Sequence, residues 1–166
     1  RNLSVFFKDD PDYVELRVAM SAVDEAGARK NFEAELQSKT FEDIRSSART
    51  RWEDQLNRIQ VEGDESMKIN FYTSLYHTSI VPNLFVDVDG RYRGTDLMIH
   101  TAENHKQYTV FSLWDTYRAA HPLYTLINSE ENNDFIKSML AHYQDGGQLP
   151  VWELAANYTG CMIGYH

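Results

Sequence analysis

Cysteine is almost missing: Cys161 stands alone in 166 residues. A lone thiol excludes an intrachain disulfide framework and every zinc pattern that needs several cysteines. It leaves the redox compartment open. Long apolar runs are missing too, with none near the roughly 18 residues that suggest a membrane-spanning helix. No basic-then-apolar leader follows Arg1, so no signal peptide is visible, and Arg1 reads as a position inside a longer polypeptide. Basic residues are in deficit, 16 Lys and Arg against 25 Asp and Glu, for a formal net charge of -9. Phosphate contacts need concentrated basic side chains, so nucleic acid is excluded as a partner. Gly-rich phosphate loops are absent. His77, His100, His105, His121, His142 and His166 show no zinc-helix spacing.

Apolar residues make up 42% of the chain and aromatics 13%, enough to build a core and to argue against global disorder. The aromatic supply suits either a packed interior or a surface that stacks on a flat ligand. Composition does not separate the two.

Val14, Leu16, Val18 and Met20 alternate with Glu15 and Arg17, the period of a strand with one wet face. Leu3 to Phe7 is a candidate partner strand, with Lys8 to Asp12 as the turn. A hairpin alone is marginal, so its apolar face needs a cover from elsewhere. From Asp24 the period becomes helical, over Glu25 to Leu36. Thr40 and Asp43 have the spacing of a capping box for a second helix. Its buried stripe is expected at Phe41, Ile44, Ala48, Trp52, Leu56 and Ile59. A third helix is expected from Glu65 to Ile80, with Met67, Phe71, Leu75 and Ile80 inward.

Asn83 to Gln107 reads as irregular, with a turn at Asp87-Val88-Asp89-Gly90. A fourth helix is expected over Ser112 to Leu126, kinked or restarted by Pro122. A fifth runs to Tyr143 behind an Asn128–Glu131 capping box, and Gly146-Gly147 stops it. A module boundary falls near Ala22. Strand-bearing sequence lies before it. The helices after it fit a bundle or part of a helical toroid.

Asp87-Val88-Asp89-Gly90 is the nearest thing to a calcium loop, but the closing glutamate is missing because position 98 is Met. A turn with solvated aspartates is the plainer reading. Ser112-Leu113-Trp114-Asp115-Thr116-Tyr117-Arg118 is more pointed. On a helix, Phe111, Asp115 and Arg118 share a face, and Trp114 adjoins Arg118. A carboxylate beside an aromatic plane can accept from sugar hydroxyls while the ring covers a sugar face. An Asp115–Arg118 pair that only anchors packing is the alternative. Leu149-Pro150-Val151-Trp152-Glu153-Leu154 supplies a second tryptophan–acid pair. Glycoside hydrolysis needs two carboxylates in unequal environments, and Asp115 with Glu153 is one candidate pair. The alternative makes Trp152 a core aromatic with Glu153 capping or pairing nearby. A Cys161–His166 nucleophile pair is poorly spaced for a catalytic hydrogen bond on a regular helix.

Together these segments resemble glycoside hydrolase family 92, the exo-acting alpha-mannosidases. The resemblance rests on Phe71-Tyr72-Thr73-Ser74-Leu75-Tyr76-His77, on Asp87-Val88-Asp89-Gly90-Arg91-Tyr92-Arg93-Gly94, and on Tyr108 to Arg118. Gly147 to Leu154 and Thr159 to His166 complete it, in the expected order and over nearly the whole chain. It implies a mainly α fold: a partial (α/α)6 barrel preceded by linker helices and the last strands of a β-sandwich domain. Residues 1–22 would end the sandwich, 23–62 form the linker helices, and 63–166 begin the catalytic barrel.

The implied activity is calcium-dependent removal of terminal alpha-linked mannose, often alpha-1,2, with inversion, from N-glycan or mannan oligosaccharides. The resemblance further implies that Trp114, Asp115, Trp152, Glu153 and His166 line the mannose subsite and that Arg118 orients Asp115. The general acid, the general base and the calcium ligands would come from the remainder of the same polypeptide. The location implied is periplasmic, cell-surface or secreted. Two rival readings are a non-catalytic carbohydrate-binding or helical interaction module, and an (α/α)6 enzyme acting on another sugar.

Overall fold

The computed structural model describes Val5 and residues 12–163. Among them the chain is mainly helical, with three small antiparallel sheets set between the helices. Local chemistry starts each of the first three helices. Helix α1 (Glu25–Glu35) opens at Asp24, whose side chain accepts from Gly27 N at 2.6 Å. Helix α2 (Phe41–Leu56) carries the full capping box: Thr40 Oγ1 accepts from Asp43 N, and Asp43 accepts from Thr40 N. Helix α3 (Glu65–Thr78) starts where Asp64 accepts from Met67 N. Each cap satisfies a backbone donor that the first turn leaves without an intrahelical partner.

The expected strand over Tyr13 to Met20 is extended but has no ladder among the described residues. Its apolar side chains are open to solvent, Leu16 at 83% exposure. Of the expected partner strand and turn, only Val5 and Asp12 belong to the described residues. The stripe of α2 is likewise uncovered: no residue of that helix is buried, and Phe41 is 65% exposed. Trp52 rests instead on Tyr76 of α3, ring centroids 4.6 Å apart. Leu75 is the one residue of α3 that is buried, while Met67 and Ile80 face out.

The stretch read as irregular contains ordered pairings. β1 (Asn83–Leu84) pairs with β4 (Tyr108–Thr109), and β2 (Arg91–Arg93) pairs with β3 (Ile99–Thr101). These strands are too short to show a period in sequence. The turn at Asp87 to Gly90 is present, closed by Gly90 N donating to Asp87 O at 2.9 Å, with Gly90 at φ 84. Asp87 itself is not solvated. It is buried, and accepts from Ser21 Oγ at 2.7 Å and Asn31 Nδ2 at 2.8 Å. Those bonds clamp α1 to the β2–β3 hairpin, helped by Arg93, which donates to Ala22 O and Val23 O. Asp89 pairs with Lys30 and Arg91, and the bond from Lys30 above all holds its carboxyl down at about 2.

The expected fourth helix is broken in two. β5 (Phe111–Ser112) takes its first residues and α4 (Leu113–Thr116) is a single turn. A new helix, α5 (Ala120–Ile127), then starts with Pro122 in its first turn, where a missing N–H costs nothing. α6 (Ser129–Gly146) follows and ends at Gly147, left-handed at φ 77, whose N–H donates to Tyr143 O. The expected Asn128–Glu131 capping box does not form. Asn128 already closes α5 through its N–H to Tyr124 O, and its side chain accepts from Arg58 Nη1 at 2.6 Å. Tertiary partners outbid the local cap. Phe111, Tyr124 and Phe135 form the core, with Tyr108, Leu113, Ala120 and Met139 packed against it.

Candidate functional site

The two tryptophan–acid segments meet in one sheet. β5 pairs antiparallel with β6 (Trp152–Leu154), which turns back into β7 (Asn157–Tyr158). The register sets Phe111 opposite Glu153 and Ser112 opposite Trp152. Side chains alternate across a strand, so the two pairs point to opposite faces. Phe111 and Glu153, each 1% exposed, take the inner face. Ser112 and Trp152 take the outer one.

On that outer face Ser112 leads directly into α4. Leu113 N donates to Val151 O at 3.1 Å, anchoring the start of the turn beside β6. Ser112 Oγ donates to Asp115, and Thr116 Oγ1 donates to Ser112 O. Asp115 is exposed, and Trp114 and Trp152 are half-buried. An exposed carboxylate offers acceptors for hydroxyls, and a half-buried tryptophan offers a flat wall for a sugar ring.

Arg118 does not orient Asp115. Its Nε donates to the Tyr117 hydroxyl at 2.8 Å, and its guanidinium lies 5.4 Å from the Trp114 ring centroid. The reason is the shortness of α4: it ends before Arg118, so helical spacing no longer brings the two side chains together. Ser112 does the holding instead. The Ser-x-x-Asp spacing was a readable signal for it. Phe111, expected to share a helix face with Asp115, lies in β5 and points into the core.

Glu153 pairs with groups inside the protein, while Trp152 is half-buried and does not belong to the core cluster. The Glu153 carboxylate faces the protein interior. Oε1 accepts from Thr109 Oγ1 and from Ala156 N, both at 2.7 Å, and Oε2 accepts from Val110 N at 3.1 Å. Thr109 Oγ1 in turn accepts from Ala155 N at 2.7 Å. His142 Nε2 stands 3.7 Å from Oε2, and burial pushes the His142 pKa down against the pull of Glu153. A small cavity of about 90 Å3 beside this pair is lined by Thr95, Gly146, Gln148 and Tyr158 among others. No pattern in the sequence pointed to Thr109, Val110 or His142, because Thr109 and Val110 meet Glu153 only where β4 passes into β5, and His142 only where α6 packs against β6.

His166, expected at the same subsite, lies outside the described residues. A larger cavity of about 250 Å3 lies elsewhere, lined by Trp52, Gln55, Tyr124 and Asn128 among others, and includes none of the expected site residues. Among the described residues no group of three or more His, Cys, Asp or Glu side chains is placed to hold a metal ion. No described helix is long and apolar enough to cross a membrane.

The catalytic domain of glycosyl hydrolase family 92 matches residues 27–166, and the chain belongs to that family. It is similar to the solved GH92 alpha-mannosidase BT3965 from Bacteroides thetaiotaomicron, with 47% identity and a TM-score of 0.85 over 88% of this chain. That enzyme has also been solved in complex with mannoimidazole. The inverting mannosidase BT2199 from Bacteroides thetaiotaomicron VPI-5482 is 31% identical, with a TM-score of 0.80 over 87% of this chain. In both cases the match covers 20% of the other chain, so the present chain spans about a fifth of the relatives' length. No curated protein sequence matches it.

Proposed function

We propose that the parent polypeptide is an exo-acting alpha-mannosidase and that this chain supplies one wall of its mannose pocket. The observation that carries the reading is the match to the alpha-mannosidase BT3965 at 47% identity. Trp114 and Trp152 are the proposed walls, and Asp115 the acceptor for sugar hydroxyls. His166 is a further proposed contact. Glu153 acts from behind the seam, since its carboxylate is engaged inside. The substrate proposed is the terminal alpha-linked mannose of an N-glycan or mannan oligosaccharide, with alpha-1,2 linkage preferred.

The proposed reaction is a single displacement with inversion, supported by the inverting mannosidase among the similar structures. A carboxylic acid protonates the glycosidic oxygen while a carboxylate on the opposite face activates water. We place both groups in the remainder of the polypeptide, so the chain alone turns over no substrate. Calcium is the proposed cofactor, with its ligands also placed outside this chain. In the architecture proposed, residues 1–22 end a β-sandwich, 23–62 are linker helices, and 63–166 begin an (α/α)6 barrel. The compartment proposed is periplasmic, cell-surface or secreted.

The test is a panel of aryl glycosides on the full-length protein, with and without a calcium chelator, with the product anomer followed by NMR. The expected result is chelator-sensitive release from the alpha-mannoside, with the beta anomer formed first. Saturable mannoside binding without turnover would instead support the non-catalytic module, which the family match does not favour. Cleavage of a different glycoside would transfer the reading to another sugar.

A further inference from the structure

Three residues around Glu153 hold a backbone conformation that L side chains rarely adopt: Val110 at φ 68, Ala155 at φ 48 and Ala156 at φ 65. None is glycine, and valine is β-branched, which makes the left-handed region least welcome there. Ala155 and Ala156 are the two central residues of the β6–β7 hairpin, whose last register pair is Leu154 with Asn157. A two-residue hairpin with both centres left-handed favours Asn-Gly. Val110 is the single residue between β4, which pairs with β1, and β5, which pairs with β6. It is the swivel at which the chain changes sheets.

One carboxylate reaches all three. Glu153 accepts directly from Val110 N and Ala156 N, and holds Thr109 Oγ1, which accepts from Ala155 N. The direction in which β5 leaves Val110 sets where Ser112 and α4 lie, and with them Asp115 and Trp114. The turn at Ala155 and Ala156 sets the course of β6, and with it Trp152. Backbone strain persists only where the surroundings over-determine it. Here the surroundings converge on a single buried side chain.

We infer that Glu153 is the positioning residue of the sugar pocket: it acts through the backbone at Val110, Ala155 and Ala156 and touches no substrate. This rests on the mannosidase reading given above. Glu153→Gln keeps the shape but replaces one acceptor oxygen with a donor, so one backbone N–H is left facing an NH2 group.

The experiment uses the full-length protein and mannoimidazole as probe, with calorimetric Kd, KM and kcat on an aryl alpha-mannoside, and Tm. Glu153→Gln is expected to raise Kd and KM about tenfold, in keeping with a displaced binding wall. The same substitution is then made in an Ala155→Asn, Ala156→Gly background, whose turn no longer depends on an external clamp. There the loss is expected to shrink by at least about threefold, since the function of the clamp has been supplied locally.

A carboxylate that contacts sugar would lose the same factor in both backgrounds, and that result overturns the inference. Should Glu153→Gln fail to fold, Thr109→Val removes the relay to Ala155 without altering Glu153. It is expected to show the same rescue, and an equal loss in both backgrounds again overturns the proposal. Wild-type protein that neither binds mannoimidazole nor cleaves the mannoside overturns the mannosidase reading and this inference with it. An active wild type with an unrescued variant overturns this inference alone.

Discussion

Ser112 and Trp152 face one another across β5 and β6, on the side of the sheet that Glu153 leaves free. Ser112 also donates to Asp115, so one hydroxyl ties an exposed acid to β5, the strand paired with the one that carries the second tryptophan. The segment carrying Trp114 and Asp115 thus continues directly from a strand paired with the one that carries Trp152 and Glu153.

Asp115→Ala in the full-length enzyme is expected to lower kcat/KM on an alpha-mannoside by about thirtyfold, roughly 2 kcal/mol for a lost charged hydrogen bond. Ser112→Ala should act in the same direction but less. Steady-state kinetics check both. Turnover within about threefold of wild type for Asp115→Ala would remove Asp115 from the sugar site.

Gly27 packs so closely on the buried Asp87 that an added Cβ would sit 2.1 Å from Asp87 Oδ2 and 2.7 Å from Ser21 Oγ. Gly27→Ala is therefore expected to destabilise the contact between α1 and the hairpin by about 1–3 kcal/mol, the usual range for overpacking. The gain in helix propensity, about 1 kcal/mol, opposes this without cancelling it. A fall in Tm is the readout, and an unchanged Tm would mean that α1 sits less tightly than described.

Thr40→Ala removes one half of the α2 capping box. The expected loss is about 1 kcal/mol. Amide hydrogen exchange should quicken over the first turn of α2, Phe41 to Ile44, and stay unchanged in α6. Faster exchange spread evenly over both helices would argue against a local cap.

Burial pushes the pKa values of His142 and His121 down, so both are neutral in the folded protein at pH 7. Below the unfolded value of about 6.5 the unfolded chain binds protons that the folded chain refuses. Stability is therefore full above that value and is lost as pH falls from it toward the lower folded values. The slope is at most about 1.4 kcal/mol per pH unit for each histidine. Denaturation of the full-length protein between pH 7.5 and 5 should show this loss, and His142→Gln should flatten it. An identical slope in the variant would exclude His142 as a contributor.

What was legible in the sequence was mostly local. Thr40 with Asp43 and Gly147 work within one turn of their helix, so their spacing is their mechanism. Asn128 had the same kind of spacing and failed, because Gln55 at the end of α2 and Arg58 in the turn after it take its side chain from far along the chain. The tryptophan–acid segments were visible as site candidates, but their arrangement was not. Strands of two or three residues carry no usable period, and the inward turn of Glu153 depends on a register shared with Phe111. The positive φ at Val110 left no trace in residue type, since nothing about valine announces it.

The bare extended segment from Tyr13 to Met20 bears on how the chain behaves in a tube. Leu16 and Met20 lie open beside backbone that joins no ladder among the described residues, a template on which another extended chain can add. Mutual repulsion from the net charge of -9 would hold such copies apart at low ionic strength. Added salt screens that repulsion, so light scattering from the isolated chain should rise with ionic strength, and Leu16→Lys should suppress the rise. Colloidal behaviour, more than melting temperature, would then set the conditions under which this piece can be kept in solution.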